Sequence, residues 1–226
     1  MPYNQGNDGA ASKYNKLVEL DKIYEILDTE TANINMVLAN RFAAKLRTQG
    51  ENMKKDLSTL SLAVDEWVAM QKTWMYMEKI FSTAEIKQIL PEESNKFNGV
   101  NKFWEALMVD ALKSKPAKAF MKKRKGNKLV DELRNYNKIL DEINNKLQEF
   151  LEKKRGEFAR AYFLSDDEFL DIIASSDADK MEKTQGVLNK IFDGISRLGI
   201  DDNQAISMMS KEKEKVDFIK GIKTSD

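Results

Sequence analysis

Apolar residues in this chain recur at steps of three and four, and the pattern predicts helices along most of its length. Tyr14, Leu17, Leu20, Tyr24 and Leu27 share one face of a helix predicted over 12–27, after which Asp28–Thr31 loosens the pattern. Asn40 suits the N-cap of a second helix. Along that helix Met53, Leu57, Leu60, Val64, Trp67, Gln71, Trp74, Met77 and Phe81 form a stripe in which only Gln71 is polar. A stripe of this period needs a partner helix along its length. Unbroken from Asn40 to Phe81, the helix would be on the order of 60 Å long. Gly50 is its weak point, at about 1 kcal/mol relative to alanine.

Ser82-Thr83-Ala84-Glu85 has the form of a capping box before a short helix that Pro91 ends. Phe97, Val100, Phe103, Trp104, Leu107, Met108 and Ala111 mark the next amphipathic helix. Leu133, Tyr136, Leu140, Ile143, Leu147 and Phe150 predict a second long helix from Lys128 to about Lys154, with Gly156 loosening its end. Ser165-Asp166-Asp167-Glu168 is a second capping box, opening a helix to Ala174 whose first-turn acids suit the positive helix end. Met181, Leu188, Ile191, Phe192, Ile195 and Leu198 define a last helix, with Gly199 as its C-cap. Beyond Asp201 the period changes, and a β-hairpin or a frayed helix both fit Ala205–Ser210 and Val216–Ile219 around their charged quartet.

The predicted fold class is mainly all-α, an elongated helical bundle with two long helices and a possible short C-terminal β-hairpin. Residues 1–11 read as a polar, glycine-bearing tail. Residues 12–112 form a first helical part, 113–127 a basic loop, 128–200 a second helical part and 201–226 the possible hairpin.

Composition removes most chemistry. There is no histidine and no cysteine, which excludes imidazole triads, thiol nucleophiles, disulfides and the usual zinc sites. Gly194 and Gly199 have a phosphate-loop spacing, but Ile200-Asp201 follows where lysine and a hydroxyl residue are needed. The acidic pairs Glu92/Glu93, Asp131/Glu132 and Asp141/Glu142 fall at caps or on polar faces, the pattern of solvated helix surface. No catalytic, cofactor or metal residue is therefore assigned, and the chain itself is not expected to be an enzyme. No run of about 18 apolar residues suggests a membrane span.

Thirty-seven basic residues balance thirty-seven acidic ones, so asymmetry is only local. Lys113, Lys115, Lys118, Lys122, Lys123, Arg124, Lys125 and Lys128 form a run without an acid. Lys122, Lys123, Arg124 and Lys125 within it are a candidate docking surface for an acidic partner, against the plainer reading of a solvated loop. Phe120 is the lone aromatic inside the run, which gives base stacking little support, and with no net charge to drive such binding neither nucleic acid nor membrane is expected as a partner. Trp67, Trp74 and Trp104 lie on apolar stripes and are expected in the core, each needing a partner for its indole N–H.

The segment from Trp67 through Gln71, Trp74, Tyr76 and Glu78 to Phe81 resembles the linker of dynein heavy chains. That family has Trp, Gln four residues on, then Trp-x-Tyr-Leu-Glu-x-Ile-Phe, with Met77 here in place of its leucine. The likeness continues through Gln88-Ile89-Leu90-Pro91, Phe97, the Trp104 helix, Phe150-Leu151-Glu152 with Lys154-Arg155, and Tyr162-Phe163-Leu164-Ser165-Asp166-Asp167-Glu168. It runs from about Ile26 to Phe218 and favours the axonemal type. The resemblance implies a lever arm lying across a ring of AAA+ ATPase modules in the same heavy chain. Such an arm carries ring rearrangements to the tail during microtubule-based movement, in the cytoskeleton of a cilium or flagellum. It holds no nucleotide itself, and as a fragment it is expected to be monomeric. Two departures stand out: Ala159 replaces the family's usual proline, leaving the helix free to continue past Phe158, and Lys213 replaces the glycine of the closing hairpin. Gly156, Ala159 and Ser165 bracket a candidate hinge. The rival reading is a helical scaffold or tether that pairs its apolar stripes with partner helices.

Overall fold

The computed structural model describes residues 14–114, 116–175, 177–201 and 204–223. Over these residues the chain forms eight α-helices, two 3₁₀ turns and one three-stranded sheet. The helices are α1 (Leu20–Ala39), α2 (Arg47–Phe81), α3 (Ala84–Ile89), α4 (Pro91–Lys113), α5 (Ala117–Arg124), α6 (Gly126–Glu157), α7 (Asp166–Ile173) and α8 (Asp177–Ile191). The strands are β1 (Arg197–Asp201), β2 (Gln204–Met209) and β3 (Lys215–Lys223). The chain divides into two units, one of Met1–Lys79 with Glu92–Asn145, the other of Ile80–Pro91 with Lys146–Asp226. The mainly helical class and the two long helices agree with the sequence pattern, and the tail expected over 1–11 lies outside the described residues.

In the first unit α2, α4 and α6 are tied pairwise. Trp74 of α2 stacks on Trp104 of α4, with ring centroids 4.7 Å apart. Phe103 of α4 stacks on Tyr136 of α6 at 4.0 Å. Glu66 of α2 accepts from Arg134 Nε at 2.8 Å and from Asn137 Nδ2 at 3.0 Å on α6. Trp74, Met77, Trp104, Leu107, Leu133, Leu140 and Ile143 are fully buried, as their stripes predict, and Met70 and Leu129, which the stripes did not include, are fully buried beside them. A smaller cluster of Leu27, Val64 and Val68 seats α1 on α2.

Several boundaries differ from the sequence reading. Residues 14–19 are not helical. Gln71 holds both main-chain groups of Leu17, and Glu19 enters α1 in the left-handed region (φ 55°). Here tertiary hydrogen bonds override a helical period. Asn40 is the C-cap of α1 and not the N-cap of α2. Its side chain accepts from Phe42 N–H and its carbonyl from Ala43 N–H, which opens a 3₁₀ turn over Ala43–Leu46 before α2 begins at Arg47. Gly50 is where the side chain of Leu38 crosses α2, 2.8 Å from the position a Cβ would take. The stretch read as a basic loop holds helix α5, closed at Lys125 in the left-handed region.

In the second unit Thr83, without a side-chain cap, is the N-cap of α3, so the box expected at Ser82 does not form. The Thr83 hydroxyl instead donates to the Ile80 carbonyl at 3.0 Å. Pro91 ends α3 and begins α4, the first-turn place where its missing N–H costs nothing. The box at Ser165 forms completely: Ser165 Oγ accepts from Glu168 N–H, and the Glu168 carboxylate accepts from Ser165 N–H. Helix α8 stops at Ile191, and Leu198 and Gly199 lie in β1 instead of closing a helix. Gly199 pairs with Ser207 of β2, whose side chain occupies the space of a Cβ at 199. The terminal segment settles as an antiparallel sheet in the order β1-β2-β3. The turn into β3 takes Lys213 into the left-handed region at φ 67°, so the hairpin closes without the expected glycine.

Candidate functional site

The residues singled out by sequence occupy three places. Trp67, Gln71, Trp74, Tyr76, Glu78 and Phe81 all lie on α2, and all but the half-buried Tyr76 are buried. Phe97 and Trp104 are buried on α4, and Pro91 begins that helix. Trp74 Nε1 donates to Asn101 Oδ1 at 2.6 Å, and Trp104 Nε1 donates to the Asn15 carbonyl at 3.0 Å. Tyr14 meets the edge of Trp74 at 5.3 Å. Trp67 differs: it stacks on Phe120 at 5.6 Å, and its indole nitrogen is buried without a hydrogen bond. Gln71 is the polar gap in the stripe because its amide does a strand's work. Leu17 N–H donates to Oε1 at 2.6 Å, and Nε2 donates to the Leu17 carbonyl at 3.1 Å. Asn15 carried no sequence signal, and Leu17 was expected only on a helix face; both act here through main-chain atoms, which leave no side-chain signal, whereas Asn101 acts through its side-chain amide.

The second place is the corner after α6. Gly156 lies in the last turn, Ala159 opens a 3₁₀ turn over Ala159–Phe163, and Ser165 caps α7. The bend forms without proline at 159, and Phe158 leaves helical geometry at φ −139°, ψ 88°. Arg155, quoted only as part of a motif, is the residue that closes it. Its Nη2 donates to the Leu164 carbonyl at 3.2 Å and to Asp166 Oδ1 at 2.7 Å, and its Nη1 donates to Glu152 at 3.1 Å. The guanidinium also lies over the rings of Tyr162 and Phe169. The hydrogen bond from Arg155 holds the Asp166 carboxyl below its usual range, against partial burial and with help from Gln148. Glu168 is lowered chiefly by the Lys190 ammonium and then by Ser165. Around this fastening Leu164 is buried, whereas Phe158, Tyr162 and Phe163 are exposed.

The third place is the basic run. Lys122, Lys123 and Arg124 form the last turn of α5, and Lys125 is its C-cap. They do not act alike. Lys123 and Arg124 both reach Asp110 of α4 at 2.6 Å, so Arg124 is an internal strut. The Lys123 hydrogen bond leads in lowering the Asp110 carboxyl. Lys122 and Lys125 face solvent. Among the described residues no group of three or more metal-ligating side chains comes together, and no helix is long and apolar enough to cross a membrane.

The model of the family described as "Dynein heavy chain, N-terminal region 2" matches residues 3–226. The chain belongs to the dynein heavy chain family. Human dynein axonemal heavy chain 3 is 32% identical over 209 residues, covering 92% of this chain and 5% of that protein. Human dynein axonemal heavy chain 6 is 32% identical over 223 residues, 90% of this chain and 5% of the relative. The dynein-1-alpha heavy chain of the flagellar inner arm I1 complex of Chlamydomonas reinhardtii is 28% identical over 201 residues, 88% of this chain and 4% of the relative. This dynein region thus spans about one twentieth of the length of the relatives it matches. The seam of α2, α4 and α6 and the corner at Arg155 both lie inside the matched region.

Proposed function

We propose that this dynein heavy chain segment is part of the mechanical linker, a lever that carries rearrangements of the AAA+ ring of the same heavy chain toward its tail. The relatives are axonemal, which supports work on microtubules in the cytoskeleton of a cilium or flagellum. On this reading ATP turnover belongs to the ring and not to this segment. The observation that carries the reading is the fastening of the first unit. Helices of 35, 23 and 32 residues are joined pairwise by two aromatic stacks and a buttressed carboxylate. Bending such a bundle breaks many close-packed contacts together, so flexing is confined to element ends.

We place the flexing point at Gly156–Ser165. Gly156 and Gly99 are both helical, with nothing within 4 Å of an added Cβ. Alanine at either position should raise stability by about 0.5–1 kcal/mol by stiffening the helix. In the full heavy chain, Gly156→Ala should slow microtubule gliding while ATP turnover continues, and Gly99→Ala should leave gliding unchanged. Equal gliding speeds in the two variants would overturn the hinge. Retained gliding with the α2–α4–α6 seam loosened by Trp104→Ala would overturn the lever. A tethering role has one observation in its favour, the exposure of Met36 near the end of α1 and of Phe42 and Leu46 between α1 and α2. Concentration-dependent oligomers in sedimentation would support it.

A further inference from the structure

Beside the α5–α6 corner lies an open groove of about 770 Å³ that the lever reading does not use. Its floor is apolar, made by Met53, Leu57 and Leu60 of α2 and Met121 of α5. Gly126 sits close against the groove wall: a Cβ there would meet Met121 Cε and Thr59 Cγ2, each at 3.0 Å, so a larger residue at the start of α6 would require these side chains to give by a few tenths of an ångström. Lys125 in the left-handed region swings the chain from α5 into α6 and forms the groove's end.

The rim is strongly one-signed. Lys55, Lys118, Lys122, Lys125 and Lys128 line it, against the single acid Asp56. Lys128 reaches Glu132 at 3.7 Å, and none of the other four lysines has an ion-pair partner among the described residues. Met53, Leu57 and Leu60 follow i, i+4, i+7 spacing, which is a helix ridge about 10 Å long. Such a ridge beside an apolar floor accepts another helix along it. Two methionines in the floor let it adapt to the incoming side chains.

We propose that this groove docks an acidic amphipathic helix, its apolar face on Met53, Leu57, Leu60 and Met121 and its carboxylates on the lysine rim. The apolar floor distinguishes this occupant from a bare polyanion, which needs charge only. The test uses the 226-residue chain and a fluorescent peptide of about 14 residues, four turns with leucines at helical spacing flanked by glutamates. Saturable one-to-one binding is expected by anisotropy, with helix gained in circular dichroism. Binding should weaken about tenfold with Lys118→Glu/Lys122→Glu, and about tenfold with a peptide of the same composition in scrambled order. A peptide with lysines for glutamates should restore binding to the charge-reversed variant, which shows that the variant is folded. No saturable binding, equal binding of the scrambled peptide or of a heparin fragment, or indifference to the lysine changes would each overturn the proposal.

Discussion

Gln71 invites the most exacting test, because its amide completes both main-chain groups of one residue 54 positions away. The same device recurs in the second unit. Gln185 Nε2 donates to the Leu198 carbonyl at 2.7 Å, and Leu198 N–H donates to Gln185 Oε1 at 2.9 Å, which holds β1 to α8. In Gln71→Leu both hydrogen bonds are lost, at about 1 kcal/mol each, and the half-buried Leu17 groups are only partly rehydrated. Leucine returns some apolar burial, so the expected loss is about 2–3 kcal/mol. Urea denaturation gives the total, and amide exchange at Leu17 gives its location. The Leu17 N–H should lose protection and residues 14–19 should open before the helices do. Gln71→Glu keeps an acceptor for Leu17 N–H but sets a carboxylate against the Leu17 carbonyl, and it should be no better than leucine. An unchanged urea midpoint with unchanged Leu17 exchange would refute the clamp. A uniform loss of protection across α2, with Leu17 no worse than its neighbours, would assign the effect to packing.

The remaining predictions concern the second unit. Lys213→Gly relieves a left-handed residue in the β2–β3 turn and should raise the urea midpoint by the equivalent of about 0.5–1 kcal/mol, since the steric cost of that region outweighs glycine's extra freedom when unfolded. Arg155→Lys keeps the charge but loses the fork that reaches Glu152, Leu164 and Asp166 together, so about 2 kcal/mol should be lost in thermal unfolding, and an unchanged melting point would exclude Arg155 as the fastening. Asp166 and Glu168 titrate lower when folded than unfolded, so their stabilisation is complete above the ordinary carboxylate range, above about pH 5, and is lost as the pH falls through their lowered folded values. Stability measured from about pH 6 down to about pH 3 should therefore fall less steeply in Arg155→Lys than in the native chain; parallel curves would count against the Arg155–Asp166 pairing.

The long helices were legible because burying an apolar stripe leaves a period in the sequence. The positions from Val64 to Met77 and from Leu133 to Leu147 on that period are found inside, with Tyr136 half-buried. The capping box at Ser165 was legible because its chemistry is local to four residues. Failures occurred where the deciding partner is remote. Tyr14 and Leu17 keep helical spacing but are held by Gln71 and Trp74. Leu198 and Gly199 continue the α8 period but pair with β2. The basic run looked like loop because Pro116 and Gly126 flank it, yet Pro116 serves as the N-cap residue of α5, and Phe120 finds Trp67. Arg155 passed as one more charge at a helix end, since nothing in its neighbourhood announces a carbonyl nine residues on.

All three tryptophans belong to the first unit, and Tyr162 is the one tyrosine of the second. Intrinsic indole emission is therefore a private reporter of the α2–α4–α6 seam, while far-ultraviolet dichroism sums both units. Denaturation curves that part company between these two signals would reveal stepwise melting and would give each half of the polypeptide a free energy of its own.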